Sequence, residues 1–495
     1  MIKKTIIISI LTFHQLLLTF FYQIFLLNIF GVGADLDIYF ASNTINYIIL
    51  AIASGSINAV ITPIFVKHYK NNNLKELGEL ASSTFNLIFL LFFLFGSIQY
   101  FFARQIVESI LPGFSNGNLE IVIDLFKIQA FLSIITILTA LLSALHYTFN
   151  NFYITIIYPT IGQLFQILFV WIYHKDLGLY ALVYSLIINQ FLSFLLLSIH
   201  FLKFYKFKII YNDDLKRSNN KILPLILSSS FSKSNILVDR FFGSTLSSGS
   251  ITLLQYGEKI IGLISGFLNK GVSLVSLRNF SMEHDNKEEF QRLFYFIYKT
   301  MVFFVVPVSF CIIFFIKDIL NLLLLSNKFS NEDINQISLV VISFIGIFIG
   351  GSINSSIINA FYAKGLTKIV STSNVILQIF GISLKIGLFY LLGFWGLPIA
   401  ISISSLAGAV YFFILYNKYI YGFDKQILIF YLLKIIFISF LSIIIPISLT
   451  NLLIDSVIIR LCLSLLLFIF TFIILVSKFE KEVFKVLLIS FKFKT

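Results

Sequence analysis

Charge is what this chain has least of. Only 12% of its 495 residues are Asp, Glu, Lys or Arg, about half the share of an ordinary soluble domain. That is too little to solvate a globular surface. With 58% hydrophobic residues and a mean hydropathy of +0.95, the chain is expected to be an all-α polytopic membrane protein. Cysteine is nearly missing as well. Cys311 and Cys462 lie far apart inside apolar runs, so they are expected to face lipid or fill the core, not to form a disulfide. The six histidines, at 14, 68, 146, 174, 200 and 284, include no pair four residues apart. No metal site and no cofactor are expected.

Long polar connections are absent too. None exceeds about twenty residues, which leaves no room for the extramembranous domain of a glycosyltransferase, a glycan polymerase or ligase, or an ATP-driven pump. There is no GxxxxGK[ST] phosphate cradle and no defensible Ser/His/Asp or paired-carboxylate set. The expected activity is movement, not catalysis.

Apolar runs fill the space that those absences leave. A hydrocarbon core about 30 Å thick needs about 20 apolar residues per helix. Runs of that length fall near 5–30, 39–66, 82–103, 121–147, 152–173, 178–202, 222–243, 249–276, 293–316, 335–360, 367–391, 395–417, 429–449 and 456–477. The first is too long for a signal-peptide core and no small-x-small site follows it, so it is expected to stay as helix 1. An even number of spans puts both termini on one side. Lys3, Lys4, Lys67, Lys70, Lys75, the cluster from Lys203 to Lys221, Arg278, Lys287, Arg292 and the tail lysines from Lys478 to Lys494 all fall on that side. Both ends are therefore expected in the cytoplasm. The same scatter of short basic loops argues against nucleic acid, which needs its cations on one folded face.

The polar stretch 204–221 divides the chain. An N-lobe of helices 1–6 (1–203) is expected before it, a C-lobe of helices 7–12 (222–417) after it, and helices 13–14 with a basic tail (418–495) last. Phe30-Gly31 and Phe242-Gly243, like Ala59-Val60 and Gly271-Val272, recur at an offset of 212 residues. Such a repeat suits transporters whose passenger sits between the halves.

One stretch, 235–278, puts charge where a membrane chain should have none. Asp239, Arg240, Glu258, Lys259 and Lys270 lie in or beside two apolar runs, and an ionised side chain at the bilayer centre costs about 2.5–3.5 kcal/mol even on the lenient scale. Lys259 and Lys270 are eleven residues apart, close to three helical turns, so they share a face. With Lys233 they could hold a pyrophosphate, whose attraction to a cation grows in low dielectric. The plainer alternative is that Asp239 neutralises Arg240 and Glu258 neutralises Lys259. Asp37, beside a turn, reads equally as a helix cap, and Lys385 stands alone in the eleventh run.

These residues carry a resemblance. Val238-Asp239-Arg240, Gly249-Ser250-Ile251, Tyr256-Gly257-Glu258-Lys259-Ile260 and Gly266…Gly271-Val272…Leu277 resemble the seventh and eighth helices of the MurJ lipid II flippases. Gly31-Val32-Gly33, Asp37-Ile38-Tyr39-Phe40, Gly55 and Pro63 resemble that family's first two helices. The resemblance implies two six-helix lobes around a central cavity and a lipid-tail groove on helices 13 and 14. It also implies an undecaprenyl-pyrophosphate-linked glycan as cargo. Glu258-Lys259 matches the family's acidic-basic pair in helix 8, with Lys in place of Arg. Tyr22, Gln23 and Asn28 stand where helix 1 of the family carries arginines and an acid, and the segment around Ile48 to Leu50 lacks its double arginine.

The expected function is therefore a monomeric flippase of the bacterial cytoplasmic membrane. It would carry lipid II or a surface-polysaccharide repeat unit among membrane lipids by alternating access, driven by the membrane potential or a coupling ion. Substrate contact is assigned to Lys233, Asp239, Arg240, Glu258, Lys259, Lys270 and Asp37. A cation-coupled multidrug antiporter of the same superfamily is the alternative.

Overall fold

A computed structural model describes residues 2–71, 73–202, 205–207, 233–283, 285–324, 329–453 and 457–479. The connection 204–221, save 205–207, and the tail beyond 479 lie outside them, as does the start of the seventh apolar run. The described chain is all helix and loop. The elements are α1 (Ile2–Phe30), α2 (Ala34–Ser42), α3 (Thr44–Lys70), α4 (Leu74–Phe101), α5 (Ala103–Ile110), α6 (Asn116–Gln129), α7 (Leu132–Thr148), α8 (Ile154–Leu177) and α9 (Leu179–Phe201). After α10 (233–244) come α11 (Ser250–Met282), α12 (Lys287–Leu323), α13 (Asn331–Ser343), α14 (Ile345–Ala363), α15 (Thr367–Leu392), α16 (Gly396–Tyr419), α17 (Lys425–Leu453) and α18 (Val457–Phe479).

Each of the fourteen apolar runs holds one helix or a broken pair. Among the described residues nine stretches are long and apolar enough to cross a membrane, and α6 with α7, bent by 40°, would make a tenth. One of the nine, Thr367–Tyr419, contains both α15 and α16, enough chain for two crossings.

Three runs that hydropathy reads as continuous are interrupted, at Asn43, at Ala130–Phe131 and at Phe344. A break frees backbone groups that lipid cannot satisfy. Two of the breaks answer one another. Gln129 donates its amide to Ser42 Oγ at 3.1 Å, and Asn46 donates to the Gln129 carbonyl at 3.2 Å. Gly178 (φ 53°) and Gly393 (φ 58°) reverse the chain between α8 and α9 and between α15 and α16, a left-handed conformation that favours glycine.

Contacts group the chain into two compact units, Met1–Thr252 and Leu253–Thr495. In the first, α3, α4, α7 and α9 bury Ile61, Phe65, Leu77, Leu141 and Phe201 against one another. A neutral polar chain ties in α1. Gln166 donates to the Tyr22 hydroxyl at 3.0 Å, and Asn189 donates to the Gln166 carbonyl oxygen at 2.7 Å. Satisfied amides and hydroxyls thus occupy part of helix 1 where the resembled family carries charge.

In the second unit Phe290, Phe294, Phe361, Phe412 and Tyr416 form the core of α12, α14 and α16, with Phe294 stacked on Tyr416 at 4.0 Å. The Lys364 ammonium lies over the Tyr421 and Phe290 rings, 4.6 and 4.7 Å from their centroids. Arg460 of α18 reaches Asp318 of α12 at 3.2 Å. Cys311 is half-buried and Cys462 exposed, and both are free thiols.

Small residues let α14 approach α16. A Cβ on Gly346 would stand 2.7 Å from the Ser402 carbonyl, and one on Gly350 would stand 2.5 Å from the Ser405 carbonyl. Backbone is on the far side, so no rotamer change makes room. Gly350→Val is therefore expected to leave little folded protein, measured as the monodisperse fraction in detergent. Gly387→Val, facing open space, should match the parent.

Candidate functional site

The sequence-selected residues fall into two groups, one in each unit. In the first, Asp37 caps a helix that is not its own. Its Oδ2 accepts the Gly249 N–H at 2.7 Å, and its Oδ1 accepts the Thr252 N–H and the Thr252 hydroxyl, both at 2.6 Å. These groups open α11, whose first N–H groups have no intrahelical acceptor and carry the positive end of the helix dipole. A buried carboxylate (Asp37 is 4% exposed) suits that position on both counts.

The approach is close. Gly249 (φ +93°) has its missing Cβ only 2.8 Å from Val32 Cγ1. The Gly31-Val32-Gly33 turn and the Gly249 turn therefore meet face to face. Arg240, 5% exposed, donates from Nε to Thr44 Oγ1 at 3.3 Å, and one of its Nη atoms lies 3.5 Å from the Ile251 carbonyl. One turn of chain further, Ser244 accepts the Gly113 N–H at 3.2 Å. Thus three contacts fasten segment 240–252 to the end of the first unit that bears the Gly31 and Gly113 turns. Asp239 and Lys233 lie half-buried on α10.

The second group is on α11 within the other unit. Tyr256, Gly257, Ile260 and Ile261 are buried, with the Gly257 position pressed against Val340 and Phe344. The other face carries Lys259, half-buried, with Glu258 exposed beside it. Gly262 and Gly266 follow Lys259 at one and two turns, and a Cβ on either would meet nothing within 4 Å. Position 270 continues this stripe in register; its side chain lies outside the described residues. The stripe is thus a glycine floor with a lysine position at each end. It offers open backbone at Gly262 and Gly266 beside the Lys259 cation.

Lys385 is 1% exposed on α15. Among the described residues no group of three or more His, Cys, Asp or Glu could hold a metal. The structure does join His146 and His200, whose rings are 5.4 Å apart, although sequence spacing kept them separate. Sequence reasoning missed Thr252, Thr44, Ser244 and Gly113.

A family described as lipid II flippase MurJ matches residues 26–476. A Buchnera aphidicola protein (from Acyrthosiphon pisum) described as a probable lipid II flippase MurJ is 24% identical over 427 residues, 82% of this chain and 81% of its own. One from Vibrio cholerae with the same description is 22% identical over 424 residues, covering 82% and 81%. Among solved structures, a lipid II flippase MurJ in an inward closed conformation superposes with a TM-score of 0.82 at 22% identity, over 96% of this chain and 99% of that one. An inward-facing multidrug-resistance MATE transporter gives 0.62 at 14% identity, over 82% and 94%.

Proposed function

Because this chain belongs to the lipid II flippase MurJ family, we propose that it carries an undecaprenyl-pyrophosphate-linked glycan, lipid II first among them, across the bacterial cytoplasmic membrane. It is a transporter of the bacterial inner membrane. The lysine distribution supports cytoplasmic termini, which makes the end bearing Asp37, Gly249 and Gly113 the outer one. In the proposed cycle these contacts hold the outer side shut while cargo enters from the cytoplasm. Their release, driven by the membrane potential or a coupling ion, lets it leave.

The observation that carries this reading is the open stripe on α11. Lys259 and the position of Lys270 bracket Gly262 and Gly266, whose faces are unobstructed. A pyrophosphate brings charge that needs cations in a low dielectric, and glycines let it approach backbone. Lys233, Asp239 and Arg240 of α10 are assigned as further cargo contacts, and Glu258 to setting the field around Lys259. A cationic drug gains nothing from two lysines. The likeness to MATE transporters, at 14% identity, is one of fold.

The test is translocation in proteoliposomes loaded with fluorescent lipid II on one leaflet. Arrival at the opposite leaflet at a rate well above protein-free vesicles is expected. The reading fails if lipid II and undecaprenyl-pyrophosphate-linked repeat units both remain where they were placed while a cationic dye is moved.

A further inference from the structure

Gly113 sits in the five-residue connection between α5 and α6 and has no conformational reason to be glycine. Its φ lies outside the left-handed region, unlike that of Gly31, Gly178, Gly249, Gly365 and Gly393. What requires glycine is space. A Cβ at 113 would collide with the Ser244 carbonyl oxygen and carbon and with Thr245 Cα. All three are backbone atoms, so no side chain can turn aside. The Gly113 N–H also donates to Ser244 Oγ at 3.2 Å, and that hydroxyl donates in turn to the Phe241 carbonyl at 2.8 Å. The end of α10 is therefore seated directly on the Gly113 backbone.

The contact differs from the Asp37 cap in where it sits. Asp37 and Thr252 are buried, at 4% and 0% exposure, whereas Gly113 is exposed at the rim. A methyl group added in a packed core forces neighbours off their rotamers and destabilises the fold. At a rim between segments that separate during the cycle, the same methyl is relieved by separation. Its cost then falls on one conformation and not on the fold.

We propose that Gly113 is a positioning residue of the outer closure. By having no side chain it sets how tightly the end of α10 seats, and any substitution there shifts the protein towards the state in which segment 240–252 has lifted away. This rests on the alternating-access reading above but not on the identity of the cargo.

The experiment uses the full chain with Cys311→Ser and Cys462→Ser and a reporter thiol at Val32→Cys, a position that Gly249 covers. Right-side-out vesicles are treated with a membrane-impermeant maleimide. Gly113→Ala is expected to raise the labelling rate several-fold and Gly113→Val further still, with the melting temperature held within a few degrees. Ser244→Ala, which removes the hydroxyl's bonds to Gly113 and Phe241 and adds no clash, should raise it less than Gly113→Ala. Unchanged labelling in both Gly113 variants overturns the proposal, as does faster labelling accompanied by a loss of monodisperse protein like that of Gly350→Val, since that marks a plain packing role. Labelling needs no cargo. A wild-type protein that moves no lipid-linked glycan, yet labels as expected when Gly113 is substituted, refutes the cargo reading and leaves this one standing.

Discussion

Asp37→Asn is expected to cut lipid II translocation at least tenfold while leaving the folded yield near the parent's. The carboxylate takes two backbone N–H groups and one hydroxyl through two oxygens, at 2.6 to 2.7 Å. An asparagine has one acceptor oxygen, and its amide N–H₂ then faces a backbone donor, whichever way it is flipped. A hydrogen bond to a charged group contributes about 1.5–3 kcal/mol, and a buried donor left without an acceptor costs a similar amount. At about 1.4 kcal/mol per factor of ten, one lost bond weakens the closed outer state roughly ten- to a hundredfold. A carrier must populate both of its end states to cycle, so a bias of that size towards outer opening slows the return step.

The measurement that separates gating from folding is the Val32→Cys labelling rate beside the melting temperature. Faster labelling with near-parental melting is the expected result. Slow labelling and slow translocation together would mean that Asp37 touches cargo instead of shutting the outer side. Asp37→Glu keeps the charge with one more methylene and should fall between Asn and the parent.

The residues of this contact show which parts of the molecule a linear reading reaches. Helix existence was legible because apolar runs of about 20 residues have few alternatives in lipid. The interruptions at Asn43, Ala130–Phe131 and Phe344 were not, since hydropathy passes through them unchanged. At the first two, Asn46 takes up the Gln129 carbonyl while the Gln129 side chain bonds to Ser42 Oγ, contacts between residues more than 80 positions apart. Asp37 could be read as a cap because an acid beside a turn has few other uses. Its partner could not, because the helix it caps begins 212 residues later. Gly113 carried no signal at all: a glycine at a loop reads as a turn, and only the Ser244 backbone beside it gives another reason. Charge was the most legible feature of the site, since the membrane makes each ionised residue costly. The open glycine floor between the charges was visible only in three dimensions.

That floor gives the second large effect. Lys259→Ala combined with Lys270→Ala is expected to abolish lipid II translocation, with each single change raising the cargo concentration needed for half-maximal rate by roughly ten- to a hundredfold, at about 1.5–3 kcal/mol per charge-assisted contact. Lys259→Arg should retain most of the activity, because a guanidinium keeps the charge and adds a bidentate grip on phosphate oxygens. A purely structural lysine predicts the reverse pattern. Removing a half-buried cation that neutralises Glu258 would leave a carboxylate uncompensated, lowering the melting temperature with little change in the rate per folded molecule. A cargo-binding lysine predicts that alanine holds or raises the melting temperature, because the cost of keeping a charge in the membrane disappears with it. Filling the floor supplies the independent check. Gly262→Leu and Gly266→Leu add bulk where a Cβ meets nothing within 4 Å, so the fold tolerates them. If the stripe receives the pyrophosphate, they should block translocation as fully as the double alanine. Normal rates in both leucine variants would remove the stripe from the transport path, whatever the lysines do.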